Sequence, residues 1–392
     1  MSTIKVNKIE NTATADGGIA IDASGHVQID GQQLPTAGAL SNRRLNENGA
    51  MQISQRATSF SFAHDGTTTA YTLDRMSFVT ANLESFDGTV TQSTDAPAGF
   101  ANSWKLTTGT AEAAIDANDI AYLQLPLEAQ NLQLLQYGTS SAQTVTLSFY
   151  VKSSVTGTYG CSFYQADAVR NRTATYTINT ADTWEYKTIT LTGDTSGTIN
   201  NDNGIGFQVA WNLATGSDWD ATDSTSWGAY VTGRWGYGHA QDGVITTAGA
   251  TWFLTGVQLE VGEKATPFEH RSYGDELIKC ERYFELMQAN NNVVTGYSFT
   301  TSGAAVGLRF RTVKRAAPGT ITLATAGQSV GQLTFLTSGG SYPSSTGSNA
   351  VDSITVDGFR VNSSGYSGLT NQGVAILYIT GPGTVAKVDA EL

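Results

Sequence analysis

Residues 144–152 read Thr-Val-Thr-Leu-Ser-Phe-Tyr-Val-Lys, with Val145, Leu147, Phe149 and Val151 alternating against Thr146, Ser148, Tyr150 and Lys152. Successive side chains of an extended chain point to opposite faces, so a period of two makes one face apolar and the other polar. This pattern marks a strand of an antiparallel sheet with one face buried. It returns, bounded by turn residues, in Ala70-Tyr-Thr-Leu, Ser77-Phe-Val-Thr, Trp104-Lys-Leu-Thr, Ala121-Tyr-Leu-Gln-Leu and Tyr159-Gly-Cys-Ser-Phe-Tyr. Ala174-Thr-Tyr-Thr-Ile, Trp184-Glu-Tyr-Lys-Thr-Ile-Thr-Leu, Gly206-Phe-Gln-Val-Ala-Trp and Thr251-Trp-Phe-Leu-Thr-Gly-Val-Gln-Leu continue it. With no helical period between them, these segments predict an all-β chain whose residues 51–270 form an antiparallel jelly-roll sandwich.

Composition narrows the function classes. Charged residues make up 14% of the 392, against roughly 25% in ordinary globular proteins. Uncharged Thr, Ser, Asn and Gln take their place, and 42 glycines supply turns,. A hydrophobic share of 40% excludes disorder,, and no stretch approaches the ~20 apolar residues of a membrane-spanning helix. Residues 1–9 lack the apolar run of a signal peptide, so export by that route is not expected,. The net charge of −12 disfavours nucleic acid and anionic lipid as partners,. The acidity is local: residues 51–288 carry 25 acidic and 12 basic residues, and all seven Trp fall between Trp104 and Trp252. Cys161 and Cys280 stand far apart, which gives neither a disulfide framework nor a thiolate metal site,.

Residues 1–50 form a different unit. Ile4 and Val6, Ile19 and Ile21, and Val27 and Ile29 are short apolar pairs at period two, separated by Asp-Gly and Ser-Gly turns,. So few inward side chains cannot make a core for one chain. A docking or intertwined β-segment, completed by another copy or another protein, is therefore expected, with a disordered tail as the alternative.

One helix is expected, across residues 272–288. Ser272 can cap it, Asp275 and Glu276 suit its first turn, and Tyr273, Leu277, Cys280, Phe284 and Met287 share one face,. That face leaves two options open: an inter-subunit seam through Leu277, Cys280 and Phe284, or packing on the chain's own sheet. Residues 271–288 are thus read as a linking helix. Residues 289–392 return to strands separated by Gly/Ser/Asn loops, chiefly 337–350 and 362–373, and predict a smaller β-sandwich.

The most suggestive chemistry lies between Gly216 and His239, where Trp219, Trp227, Trp235 and Tyr237 sit among Asp218, Asp220 and Asp223. Loop aromatics can stack on sugar rings while carboxylates accept sugar hydroxyls. The same rings can instead cap the sandwich or meet a neighbouring subunit. The three Asp lack the spacing of a calcium-binding EF-hand loop. Glu260, Glu269, His270 and Arg271 read as a solvated sheet edge or an ion pair inside the domain. Catalytic patterns fail: the four His are dispersed, and Gly-x-Ser-x-Gly, Walker and dinucleotide sequences are absent,. No catalytic residue, cofactor or metal is expected.

Asn46-Glu-Asn-Gly-Ala-Met-Gln-Ile-Ser-Gln-Arg-Ala-Thr-Ser-Phe, leading to Tyr71-Thr-Leu-Asp-Arg, is similar to the opening of a domain common in bacteriophage tail-fibre proteins. Phe253-Leu-Thr-Gly-Val-Gln-Leu-Glu-Val-Gly-Glu-Lys-Ala-Thr-Pro-Phe-Glu-His-Arg-Ser-Tyr resembles its close, and Leu147–Ser154 and Ala181–Asp194 resemble its central strands. Ser2-Thr-Ile-Lys-Val-Asn-Lys-Ile and the terminal Val388-Asp-Ala-Glu-Leu resemble marine phage, especially cyanophage, tail proteins. The resemblance implies a virion appendage, usually a homotrimer, with a carbohydrate-binding-module-like jelly roll. It carries over no catalytic residue. The expected role is attachment to host-surface glycan by a tail fibre assembled in the host cytoplasm, its N-terminus docked on other virion proteins and its C-terminal sandwich facing the receptor. A structural adaptor or capsid decoration protein without sugar binding, and a polysaccharide depolymerase, are the alternatives.

Overall fold

The computed structural model describes residues 8–10, 18–21, 27–29, 32–33, 42–63, 66–289, 293–323, 334–336, 349–366, 369–378 and 383–392. The chain divides into two compact units, residues 1–271 and 272–392.

The first unit opens with four short strands, β1 (Lys8–Glu10), β2 (Gly18–Ile21), β3 (Val27–Ile29) and β4 (Gln32–Gln33), in one antiparallel sheet of that order. Ile19 and Ile21 are exposed on it, Val27 is half-buried, and Ile29 lies opposite Ile19 in the register. Ile4 and Val6 lie outside the described residues.

The sandwich follows as β5 (Ser59–Phe62), β6 (Gly66–Tyr71), β7 (Ser77–Leu83), β8 (Gly88–Ser93), β9 (Ser103–Thr108), β10 (Ile120–Glu128) and β11 (Val145–Ser153). It continues with β12 (Gly157–Gln165), β13 (Arg170–Ile178), β14 (Glu185–Leu191), β15 (Ile205–Thr215), β16 (Gly228–Ala229) and β17 (Thr251–Val261). A seven-stranded sheet, β16-β13-β12-β15-β10-β7-β6, packs on a six-stranded one, β14-β11-β17-β9-β8-β5. The chain passes repeatedly between the two, which is the jelly-roll arrangement. Val145, Leu147, Phe149 and Val151 all point inward and are fully buried, with Phe149 edge-on to Trp211 at 5.8 Å. Burial of each such side chain stabilises the fold by ~1.5–3 kcal/mol.

Two expectations change here. The sandwich begins before residue 51: Leu45 N–H donates to Leu259 O, Val257 N–H to Gly49 O, and buried Asn46 bonds both Val257 O and Leu259 N. Residues 44–50 thus occupy the edge of β17 beyond the point where β9 pairs with it. Secondly, the polar face of β11 is not solvated. Thr146, Ser148 and Lys152 are buried and Tyr150 is half-buried.

In the second unit, Ser272 caps α1 (Tyr273–Glu281), accepting a bond from Asp275 N–H at 3.2 Å. The expected helix through residue 288 is corrected. The chain turns at Arg282–Tyr283 and re-extends as β18 (Phe284–Ala289), whose backbone pairs with a strand a hundred residues later. Cys280 and Phe284 are buried within the protomer, so they do not offer a seam to another copy, whereas Leu277 is half-buried. The remaining strands are β19 (Val293–Ser298), β20 (Gly303–Arg309), β21 (Thr320–Leu323), β22 (Thr334–Leu336), β23 (Asn349–Asp352), β24 (Gly358–Ser364), β25 (Val374–Tyr378) and β26 (Gly383–Asp389). Sheets β18-β26-β21 and β22-β25-β19-β20-β24-β23 share a core of Val306, Leu308, Phe359, Val361, Ala386 and Val388. Most of the 337–350 loop lies outside the described residues.

Candidate functional site

The segment 216–241 folds back over the outer face of the seven-stranded sheet and is stitched to β12 and β13. Asn171 Nδ2 donates to Arg234 O at 2.8 Å, Thr173 N–H to Ser224 O at 2.7 Å, and Gly160 N–H to His239 Nδ1 at 3.0 Å. Trp235 lies beneath this cover, 6% exposed, against Tyr122 at 5.1 Å and Tyr164 at 6.0 Å. The expectation of a stacking platform fails for this ring, because its faces are already occupied. Trp219 is half-buried in the same cluster, its indole N–H donated to Asn118 O at 2.9 Å. Trp227 belongs elsewhere, against Tyr137 and Phe207, with its N–H donated to Thr192 O at 2.8 Å. The three Trp therefore do not converge on one surface.

Tyr237 is half-buried and Asp218 exposed. Asp220 accepts from Gly238 N–H at 3.0 Å and Asp223 from Thr225 N–H at 2.8 Å, so both carboxylates serve their own loop. Among the described residues, no group of three His, Cys, Asp or Glu side chains is placed to hold a metal ion.

An open aromatic surface lies on the opposite sheet. A groove of about 740 Å³ lies on the outer face of the six-stranded sheet, floored by Ser148 and Tyr150 of β11 and by Tyr186, Thr188 and Thr190 of β14. Tyr150 and Tyr186 are cross-strand neighbours with ring centroids 4.9 Å apart, and Tyr186 is 47% exposed. Burial raises the Tyr186 phenol above its ordinary range, partly opposed by a hydrogen bond with Ser148. One wall is the loop 98–100 and the other the loop 263–268 with His270. Volume and lining fit a small-ligand cleft of aromatic walls with a few placed polar groups.

Each wall is pinned by a carboxylate. Asp95 pairs with Lys152 and accepts from the Trp184 indole N–H at 3.1 Å, while Ser103 Oγ donates to Asp95 O at 2.6 Å. The Lys152 bond, above all, holds Asp95 below the ordinary carboxylate range. Lys152 is itself held over the ring of Phe253, its Nζ 4.3 Å from the centroid. On the other side, buried Glu260 accepts from Thr266 N–H at 2.8 Å, Thr266 Oγ1 at 2.6 Å and Gln258 Nε2 at 2.9 Å. Gln258 Oε1 in turn accepts from Glu269 N–H at 2.7 Å. Bonds to a charged acceptor are worth ~1.5–3 kcal/mol each. The walls are therefore set before any ligand arrives, which lowers the cost of binding.

The charged cluster at the end of the domain thus divides: Glu260 pins the wall, Glu269 accepts from Arg44 N–H at 3.1 Å and lies 3.6 Å from Arg271, and His270 stands at the groove. Sequence reasoning missed the groove. Its signal was Tyr150 and Tyr186, two aromatics on the polar positions of alternating strands.

No protein-family model and no curated protein matches the chain. Among solved structures, it is similar over 56% of its length to the tailspike protein 4 enzymatically active domain of bacteriophage CBA120, at 11% identity and a TM-score of 0.31. That alignment spans only 22% of the tailspike chain. A family 11 carbohydrate-binding module of a Clostridium thermocellum cellulosomal cellulase aligns with 59% of this chain and 100% of its own, at 10% identity and a TM-score of 0.27. A xylan-binding domain from Paenibacillus barcinonensis aligns with 53% of this chain and 94% of its own, at 12% identity and a TM-score of 0.22. Overlaps of this size carry no weight for function, which has to be argued from the groove.

Proposed function

We propose that the protein is a non-enzymatic subunit of a phage virion, a tail fibre or similar appendage, that attaches to glycan on the host surface. The observation that carries this reading is the pre-set groove of Tyr150, Tyr186, Phe100 and Phe268, edged by the hydroxyls of Ser148, Thr188 and Thr190. A pyranose ring has an apolar face that stacks on such rings and a rim of hydroxyls that needs such partners.

The segment ahead of the sandwich, residues 1–43, docks on other virion proteins and joins copies of the chain, most simply as a homotrimer. Exposed Ile19 and Ile21 support this role, since they present apolar surface,. Several copies on one particle then raise avidity without new contacts. The chain is assembled in the host cytoplasm and acts in the virion, with the C-terminal sandwich outward. Nucleic acid and membrane insertion have no part in the proposal.

The test applies the full chain and its Tyr186→Ala variant to a printed array of bacterial surface glycans. Retention of the wild type and its loss in the variant is the expected result. A silent array would favour the adaptor without sugar binding.

A further inference from the structure

We infer that the groove receives the end of a glycan chain and excludes internal stretches, an assignment that rests on the glycan reading above. The floor crosses the strands from β17 through β11 to β14. At β14 it is open, because this is the outermost strand of its sheet and Tyr186, Thr188 and Thr190 are exposed along it.

At β17 it is closed. The register of β17 against β11 shifts between Ser148 and Tyr150, and at this bulge Gly256 adopts φ +61°. A Cβ there would stand 2.8 Å from the Phe100 ring and 2.9 Å from that of Tyr150, so only glycine lets both rings seat against the backbone,. Above this point the two walls meet: Phe100 lies 5.0 Å from Phe268 and 5.3 Å from His270. The guanidinium of buried Arg44 stands over the Phe268 ring, 5.0 Å from its centroid. The closed end is therefore backed by packed protein.

A cleft open at both ends lets a polymer enter on one side and leave on the other, so it reads repeated internal residues. A groove closed at one end seats a chain only when the last residue can rest against the closure. From β14 to β17 the floor spans two interstrand steps, about 10 Å, which sets the depth available to the terminal sugar and its neighbour.

The test uses the full chain on a printed array of two matched sets of bacterial surface oligosaccharides. One set varies the terminal sugar on a constant inner repeat, and the other varies the inner repeat beneath a constant terminal sugar. Retention should follow the terminal sugar, falling about tenfold when it changes, and should be indifferent to the inner repeat. Retention that follows the inner repeat whatever the terminal sugar overturns this inference and leaves glycan binding standing. A silent array removes the glycan reading and the inference with it. Folded Phe100→Ala, which removes both ring contacts between the walls, should begin to retain glycans through their inner repeat, and unchanged selectivity in that variant contradicts the inference. Should Phe100→Ala fail to fold, the wild-type comparison alone decides.

Discussion

The rings of Phe100 and Phe268 stand edge to face, their centroids 5.0 Å apart and their planes at 69°. Phe100 sits on a loop early in the sandwich and Phe268 just beyond its last strand, so this contact helps to join the two walls of the groove. Each wall reaches the contact from a carboxylate anchor, Asp95 on one side and Glu260 on the other. The fold thus supplies a flat polar sheet face, and two anchored loops convert it into a cleft.

The two aromatic regions separate under mutation. Trp235→Ala opens a cavity beneath the cover and should cost about 3–5 kcal/mol of stability, visible in thermal unfolding. Tyr186→Ala, at an exposed position, should leave stability within about 0.5 kcal/mol while lowering glycan retention by about tenfold, or ~1.4 kcal/mol. Thermal unfolding and array retention measured on both variants check the contrast.

Acid should weaken the edge strand of the groove. Burial favours the neutral form of Glu185, but the Lys187 ammonium at 2.6 Å and the Asn179 and Thr180 N–H groups at 2.8 Å outweigh it and hold its pKa at about 2. A folded value below the unfolded one means that the contribution is complete above about pH 4.5 and is lost as pH falls through about 2,. Solvent screens much of this energy. Wild type should therefore exceed Glu185→Gln in Tm by about 2–4 °C at pH 6, the shift that ~1 kcal/mol produces, and the two should converge near pH 2. A gap that persists at acid pH contradicts the assignment.

In the C-terminal unit, Lys314 Nζ lies 2.6 Å from Glu285 Oε2, both side chains being buried, and Arg311 pairs with Glu281 at 2.8 Å. Burial lowers the Lys314 pKa and Glu285 opposes that shift. Lys314→Met leaves the Glu285 carboxylate buried without its counter-ion and should cost about 3–5 kcal/mol, whereas Lys314→Met with Glu285→Leu should come close to wild type. Chemical denaturation of the single and double variants measures the difference.

The strands were legible because their period of two is local information: Val145, Leu147, Phe149 and Val151 announce both the strand and its buried face. The Ser272 cap was legible for the same reason. The end of that helix was not, since Phe284, Leu286 and Met287 fit a helical face and a strand alike, and pairing with Gly383–Asp389 decides between them. The start of the sandwich was misplaced because Asn46 and Gly49 find their partners on β17, at the far end of the domain. The Trp-rich segment drew notice as chemistry, yet Trp235 packs beneath a cover. The groove is assembled from four distant segments, and only Tyr150 and Tyr186, aromatics where an alternating strand is polar, hinted at it.

Hydroxyl-radical footprinting of the full chain, with and without the glycan that it retains most strongly on the array, reports which surface the glycan covers. Binding in the groove should lower oxidation of Tyr150, Tyr186 and Phe268 and leave Trp219, Trp227 and Tyr237 unchanged. Protection confined to the 216–239 segment, with the groove rings oxidised as before, would place the glycan elsewhere and rule out the groove as its site.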